Sequence, residues 1–189
     1  MTLRKKYFVE MQNSIHQENS QHVLLALTIL VPEADSVVGE WRRQYDWSAD
    51  RGLSAHITIL FPIDSSIFLE QRCHRLESVF SKHASFNFML REPRRYGNYV
   101  YFAPEPIEPF LMLTETAMAV LPEIVPYTDV SGCVTPHLTV AYSQDDNILQ
   151  RIFASLTGVT IESTALSIEL MEYRDNAWTP HMRFPLGVF

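Results

Sequence analysis

Cysteine, long apolar runs and positive charge are what this sequence has least of. Two cysteines, Cys73 and Cys133, are too few for a disulfide framework and form no CxxC pair. We read both as reduced thiols in a packed interior, where free cysteine is commonly found. No apolar run approaches the ~20 residues needed to cross a bilayer. Near the start, Tyr7-Phe8-Val9 gives way at once to Glu10 and polar residues, short of the roughly 7–15 apolar residues of a secretory signal. The expectation is a cytoplasmic protein. The formal charge is −7, and sequence-independent binding to nucleic-acid backbones rests on Lys and Arg neutralising phosphates. The charge therefore argues against extended DNA or RNA binding and leaves a small nucleotide or an RNA end within reach.

What is present is a folded composition, 47% hydrophobic and 12% aromatic, in 189 residues, enough for one domain or two small lobes sharing a core. Residues 1–21 are polar and without clear periodicity, which reads as a mobile arm or a frayed helix. Residues 22–31 (HVLLALTILV) form a continuous apolar run that reads as a buried strand. Asp35 is placed to cap a helix carrying Val37, Val38, Trp41 and Tyr45 at helical spacing. A second apolar run, 55–63, follows the turn Arg51-Gly52-Leu53-Ser54. A helix over about 67–82 with Ser65 or Ser66 as cap, a strand over 86–90, a turn-rich loop over 91–98 and a strand over 99–103 come next. A helix over about 108–121 and a third apolar run, 136–142, then precede a helix capped by Asp145 or Asp146. Strands over 164–173 and, at the end, 182–188 complete the chain. Strand, helix, strand, helix, strand therefore occurs twice. The expected fold is α+β: two similar lobes in one domain, residues 22–189, antiparallel sheets lining a central cleft and helices outside.

Two apolar runs carry the same polar insertion, His56-Ile57-Thr58 and His137-Leu138-Thr139. Side chains alternate along a strand, so each His and Thr point the same way while Ile57, Ile59, Leu138 and Val140 turn to the other face, where a core would bury them. Each unit thus projects an imidazole and a hydroxyl from a rigid element. With 7 His and 12 Thr, chance supplies about 0.4 such triplets, so one alone is weak. Two in matched apolar strands, one in each half of a repeat, form a strong signal.

A metal site would need more. Neither triplet brings a second His or a carboxylate at ligand spacing, and two histidines alone leave a zinc site incomplete. Paired imidazoles instead suit phosphodiester cleavage without a metal or cofactor. One, neutral, takes a proton from the attacking oxygen, and the other, protonated, gives one to the leaving oxygen; an ordinary pKa of about 6.5 lets both states coexist near neutrality. The threonine hydroxyls can donate to the non-bridging phosphate oxygens as charge builds there.

The segments AHITILFP and TPHLTVAY resemble the paired HxT motifs of the two-histidine (2H) phosphoesterase superfamily. With LTILVPEAD, WRRQYD and WTPHMRFPLG around them, they look like the 2′-5′ RNA ligase family. The resemblance spans about residues 22–187. It implies a bilobal, pseudo-two-fold α+β fold and cyclic-phosphodiesterase chemistry on 2′,3′-cyclic phosphates, with reversible 2′-5′ ligation in some members. It also implies His56 and His137 as acid and base and Thr58 and Thr139 as phosphate holders, in an order the sequence leaves open.

Other residues carry weaker signals. Phe61 and Tyr142 end the two motif runs at the same offset; strict alternation puts them on the core face, unless a bulge or strand end re-aims them. Tyr96, Tyr99, Tyr101 and Trp178 could stack on a base, with packing as the plainer reading. Arg51 could reach a phosphate or simply occupy a surface turn. Arg91, Arg94 and Arg95 could serve a nucleotide or form a solvated loop. The expected partner is a cyclic phosphate on an RNA end or small nucleotide, handled by a monomer. The competing reading is a non-catalytic module that holds the same ligand in the same cleft.

Overall fold

The fold is described from a computed structural model, over residues 23–67, 70–124 and 135–187. The expectations for residues 1–21, for His22 and for Cys133 lie outside the described residues, as do residues 68 and 69 of the helix predicted over 67–82. Ten strands and five α-helices alternate along the described chain: β1 (Leu24–Leu30), α1 (Pro32–Tyr45), α2 (Trp47–Asp50), β2 (His56–Asp64), α3 (Glu70–Phe80), β3 (Phe86–Arg91), β4 (Arg94–Tyr96), β5 (Tyr99–Phe102), β6 (Pro104–Glu105), α4 (Glu108–Val120), β7 (Leu138–Tyr142), α5 (Asp146–Leu156), β8 (Thr160–Ala165), β9 (Ser167–Arg174) and β10 (Ala177–Pro185). The fold is α+β with antiparallel sheets throughout.

One sheet has the order β10-β9-β1-β2. Two three-stranded sheets, β6-β3-β8 and β4-β5-β7, make the other half. They share a long hairpin: β3 runs into β4 through Glu92, whose φ is 49°, and β5 runs into β6 through the buried Ala103. The second half is in effect one ladder broken by a kink, with β7 at its edge as β2 is at the edge of the first. The helices cross over. α1 packs against β7 and α4 against β2, so each motif strand is covered by a helix from the other repeat.

Burial sorts the faces by register. In the first sheet Leu25, Leu27, Ile29, Ile57, Leu60, Ile63, Ile168 and Leu170 turn to the main core, while Ala26, Met171, Tyr173 and Trp178 form a second cluster on the opposite face. In the second half Val100, Phe102, Leu138 and Ala141 face the main core. Edge-to-face contacts of Phe110 on α4 with Phe86 and Phe88 on β3, at 5.1 and 5.0 Å, fill the space between helix and strand.

Several boundaries differ from expectation for local reasons. α1 begins at Pro32, whose fixed φ suits the first helical position, so Asp35 lies inside the first turn rather than at the cap. Its carboxylate accepts from the Ala55 amide (2.9 Å), tying α1 to the start of β2. The stretch 91–98 is a hairpin arm rather than a loop: Gly97, at φ 54°, opens a two-residue turn that pairs Tyr96 with Tyr99. The predicted strand 164–173 is two strands separated at Leu166, and the last strand starts at Ala177, which places Trp178 on it. Asp145 caps α5 as expected, accepting from the Asn147 amide.

Both motif strands contain one extra residue immediately after the threonine. In β2, Thr58 pairs with Thr28 and Leu60 with Leu27, leaving Ile59 without a partner residue. In β7, Thr139 pairs with Tyr101 and Ala141 with Val100, leaving Val140. These are β-bulges. The ladder break at Ile59 is met from α4: the buried Thr114 hydroxyl donates to the Ile59 carbonyl (3.0 Å), in competition with its own helix carbonyl at Phe110 (3.1 Å). Thr114→Val keeps the shape and removes that donor, and its expected cost is about 1–3 kcal/mol. Urea denaturation with unchanged m-value measures this; a loss below a few tenths would show that the hydroxyl serves only its own helix.

Candidate functional site

The strand pattern delivers the four motif side chains as alternation requires. His56, Thr58, His137 and Thr139 are each half-buried between fully buried neighbours Ile57, Ile59, Leu138 and Val140. The bulge then re-aims the rest of each strand. Because Ile59 and Val140 are extra, Phe61 and Tyr142 return to the face of the preceding His and Thr instead of the core face. Phe61 packs with the second cluster, 6.1 Å from Trp178, and Tyr142 lies 4.9 Å from Tyr99. The sequence leaves this possibility open without deciding it; a bulge makes no sequence mark beyond the matched aromatic offset.

Each histidine is tethered in the same way. His56 Nδ1 lies 2.9 Å from the Ser54 carbonyl and His137 Nδ1 lies 2.6 Å from the Thr135 carbonyl. A carbonyl only accepts, so in both rings Nδ1 carries the hydrogen and Nε2 is the nitrogen able to take up a proton. The Tyr101 ring meets His137 edge-on at 5.5 Å. β2 and β7 are in contact, and the two imidazoles are near enough for charge on His137 to act on His56.

Behind His56 stands a buried polar group that the sequence does not reveal. Arg42, in the last turn of α1, is 1% exposed. Its Nε and Nη2 both donate to Asp46 Oδ2 (3.1 and 2.9 Å), and Nη2 also reaches Ser48 Oγ (3.3 Å). Asp46 uses its other oxygen to cap α2, accepting from the Ser48 amide and hydroxyl (3.0 and 2.8 Å). The same Arg42 Nη2 lies 3.5 Å from His56 Nδ1. Burial, then the Arg42 charge, push the His56 pKa from 6.5 down to about 4, against the opposing pull of Asp46 and the Ser54 carbonyl. The segment WRRQYD is part of the resemblance, but Arg and Asp four apart on a helix usually mark a surface pair. Their burial is a tertiary fact.

The weaker candidates separate. Across β4, β5 and β7, Tyr96 pairs with Tyr99 and Tyr99 with Tyr142, while Arg94 pairs with Tyr101 and Tyr101 with Thr139. Directly opposed residues share a face, so these tyrosines and Arg94 lie on the face of the second motif. Arg95 falls on the other face, opposite Val100, and pairs with Asp146; Arg94 lies 3.7 Å from Glu105, and Arg91 sits beside Met89. The three arginines do not form one patch. Arg51 stacks over Trp47 at 5.5 Å and donates to the Trp47 carbonyl and Asn176 Oδ1 (3.0 Å each). Its backbone carbonyl accepts from the Trp178 amide, so it staples the turn before β2 to β10. Trp178 is 6% exposed and packs among Trp47, Phe61 and Tyr173. Among the described residues, no three His, Cys, Asp or Glu side chains converge as a metal-binding set, and no helix is long and apolar enough to cross a membrane.

Two tethered histidines, each with a threonine on the same strand face and an aromatic three residues beyond that threonine, match the paired motifs that carry the resemblance to two-histidine phosphoesterases. A family model for the 2′-5′ RNA ligase superfamily matches residues 30–177, and the chain belongs to that superfamily. The fold is similar to that of LigT of E. coli complexed with 3′-AMP (TM-score 0.54, 14% identity, covering 89% of this chain and 99% of that one). It is also similar to TT0787 of Thermus thermophilus (TM-score 0.56, 16% identity, 89% and 99%), and to a protein described as a phosphoesterase (TM-score 0.54, 15% identity, 88% and 99%). No curated protein matches the sequence.

The low His56 pKa couples to stability. The unfolded chain takes up this proton as pH falls through about 6.5, the folded protein only near 4, so the contribution is complete above 6.5 and is lost between 6.5 and 4. His56→Gln, which cannot titrate, is expected to flatten that part of the stability–pH curve. Urea unfolding at pH 7.5 and 5 checks it; an equal loss in wild type and variant refutes a depressed pKa.

Proposed function

We propose that this protein is a metal-independent phosphodiesterase that opens 2′,3′-cyclic phosphates on RNA ends or nucleotides through acid–base catalysis by His56 and His137. The observation that carries this reading is the duplicated tether: both rings give Nδ1–H to the carbonyl two residues back, which makes Nε2 of each the atom for proton transfer. Water attacks phosphorus as one Nε2 takes its proton. The ring P–O bond breaks, and the other, protonated imidazole gives its proton to the departing ribose oxygen. Thr58 and Thr139 hold the non-bridging oxygens, where charge accumulates as phosphorus becomes five-coordinate.

The tyrosine row Tyr96, Tyr99 and Tyr142 beside Thr139 offers ring faces for a base. Binding of nucleotides by a protein of this fold supports that reading, since LigT of E. coli has been crystallised with 3′-AMP, ATP and NADP+. A net charge of −7 favours small or terminal substrates over long RNA. With a 5′-hydroxyl as the nucleophile in place of water, the same proton transfers form the new P–O bond as the ring P–O3′ bond breaks, which is the 2′-5′ ligation for which the superfamily is named. Holding a nucleotide without turnover would not require two matched proton-transfer groups.

The test is turnover of the four 2′,3′-cyclic nucleotides, and of a short RNA ending in that group, with EDTA present. Wild type is expected to open the ring. His56→Ala and His137→Ala should lose at least ~10²–10⁴-fold, and Thr58→Val or Thr139→Val about 10²–10³-fold in kcat. Nucleotide binding without turnover would establish the binding module instead. Loss of turnover in EDTA, restored by one divalent ion, would end the metal-free mechanism.

A further inference from the structure

The two motifs are alike on the cleft side, and the first has a fixed charge behind it. His56 has a guanidinium at its back, held in a fixed place by a buried carboxylate. Nδ1 of His56 already donates to the Ser54 carbonyl, and a guanidinium has no acceptor. The 3.5 Å approach of Arg42 Nη2 to that nitrogen therefore joins two donors: it is a contact of charge with ring and not a hydrogen bond. A positive charge there disfavours a second proton on the imidazole.

The groups facing His56 can be taken element by element. α1 brings Arg42, with Asp35 Oδ1 3.9 Å from its Nη1. The α1–α2 junction brings Asp46 and Ser48, which hold the guanidinium. The preceding backbone brings the Ser54 carbonyl, and β7 brings His137. Asp46 pulls towards the protonated ring, but its carboxylate is engaged by Arg42 and its effect on His56 is the smaller of the two. The cation is the nearer charge, and burial acts in the same direction.

We propose that Arg42 is a positioning residue that assigns the two histidines their roles, keeping His56 neutral as the base and leaving His137 to supply the proton. This rests on the phosphodiesterase reading for its catalytic consequence, though not for its electrostatics. Water attack is then directed from the His56 side, with the departing ribose oxygen next to His137. Arg42 itself touches no substrate in this scheme. Its burial at 1% exposure excludes direct phosphate contact and leaves action through His56.

The direct measurement is an NMR titration of the imidazole carbons of the full chain, with His56→Gln identifying the resonance. It is run on wild type, Arg42→Lys, Arg42→Met and Arg42→Met/Asp46→Asn. The double variant removes both charges, because Arg42→Met alone leaves Asp46 buried and unpaired and risks unfolding. In wild type, His56 should stay neutral down to well below pH 6. In the double variant its midpoint should rise by at least about one unit, a tenfold change in proton affinity, while Arg42→Lys stays near wild type. A His56 midpoint near 6.5 in wild type overturns the proposal, and so does an unmoved midpoint in a folded double variant. In kcat/KM, the acid limb should move up with the double variant while the alkaline limb stays; movement of the alkaline limb instead would make His56 the acid and overturn the assignment. Absence of turnover on every cyclic phosphate, with the titration as expected, would remove the phosphodiesterase reading and leave Arg42 as the group that sets the His56 charge.

Discussion

The site depends on one extra residue in each of two edge strands. A regular strand after the HxT triplet would turn Phe61 and Tyr142 into the core and leave each His–Thr pair on a bare face. The bulges at Ile59 and Val140 reverse that parity, so imidazole, hydroxyl and aromatic share a face within six residues. A bulge is tolerated where the ladder has few partners to lose, and β2 and β7 are both edge strands. The same device in both halves makes the duplication one of backbone geometry as well as of residue type.

The crossing of helices explains why the halves act as one domain. α4 supplies the Thr114 hydroxyl that meets the bulge in β2, and α1 packs on β7 while sending Asp35 and Arg42 back to β2. Glu33, also on α1, accepts from Ser163 on β8 (2.8 Å). The Thr114–Ile59 and Ser163–Glu33 bonds run from helix to strand between the repeats, in places where an unmet polar group would be costly. Movement of α1 would disturb both motifs, and the buried Arg42–Asp46 pair sits at the end of that helix nearest His56.

Much of this was legible from the chain. Period-two alternation around His56 and His137 fixes which face the catalytic candidates occupy, and Asp145 marks a helix start by its own chemistry. Three features were not. The hairpin arm at 94–96 was hidden because Gly97-Asn98 reads as loop punctuation until the flanking tyrosines are seen to pair. Strict parity assigns Phe61 and Tyr142 to the core, since a single inserted residue leaves no composition signal. Arg42 and Asp46 look like a solvent-facing pair, because four-residue spacing says nothing about what packs on the helix.

The charge behind His56 bears on the direction of the reaction proposed for this duplicated scaffold. Two identical imidazoles with ordinary pKa values would spend most of their time in the same protonation state, and only a fraction of molecules would hold one proton in the productive place. The charge placed behind His56 acts against that degeneracy without altering the cleft. A guanidinium is suited to this position because it stays charged across the working range and its planar fork can be locked by one carboxylate. Lodged under α1 and 1% exposed, it is little screened by salt. In the proposed mechanism the matched part of the site holds the phosphate and ribose oxygens, and Arg42 behind His56 sets which way the proton travels.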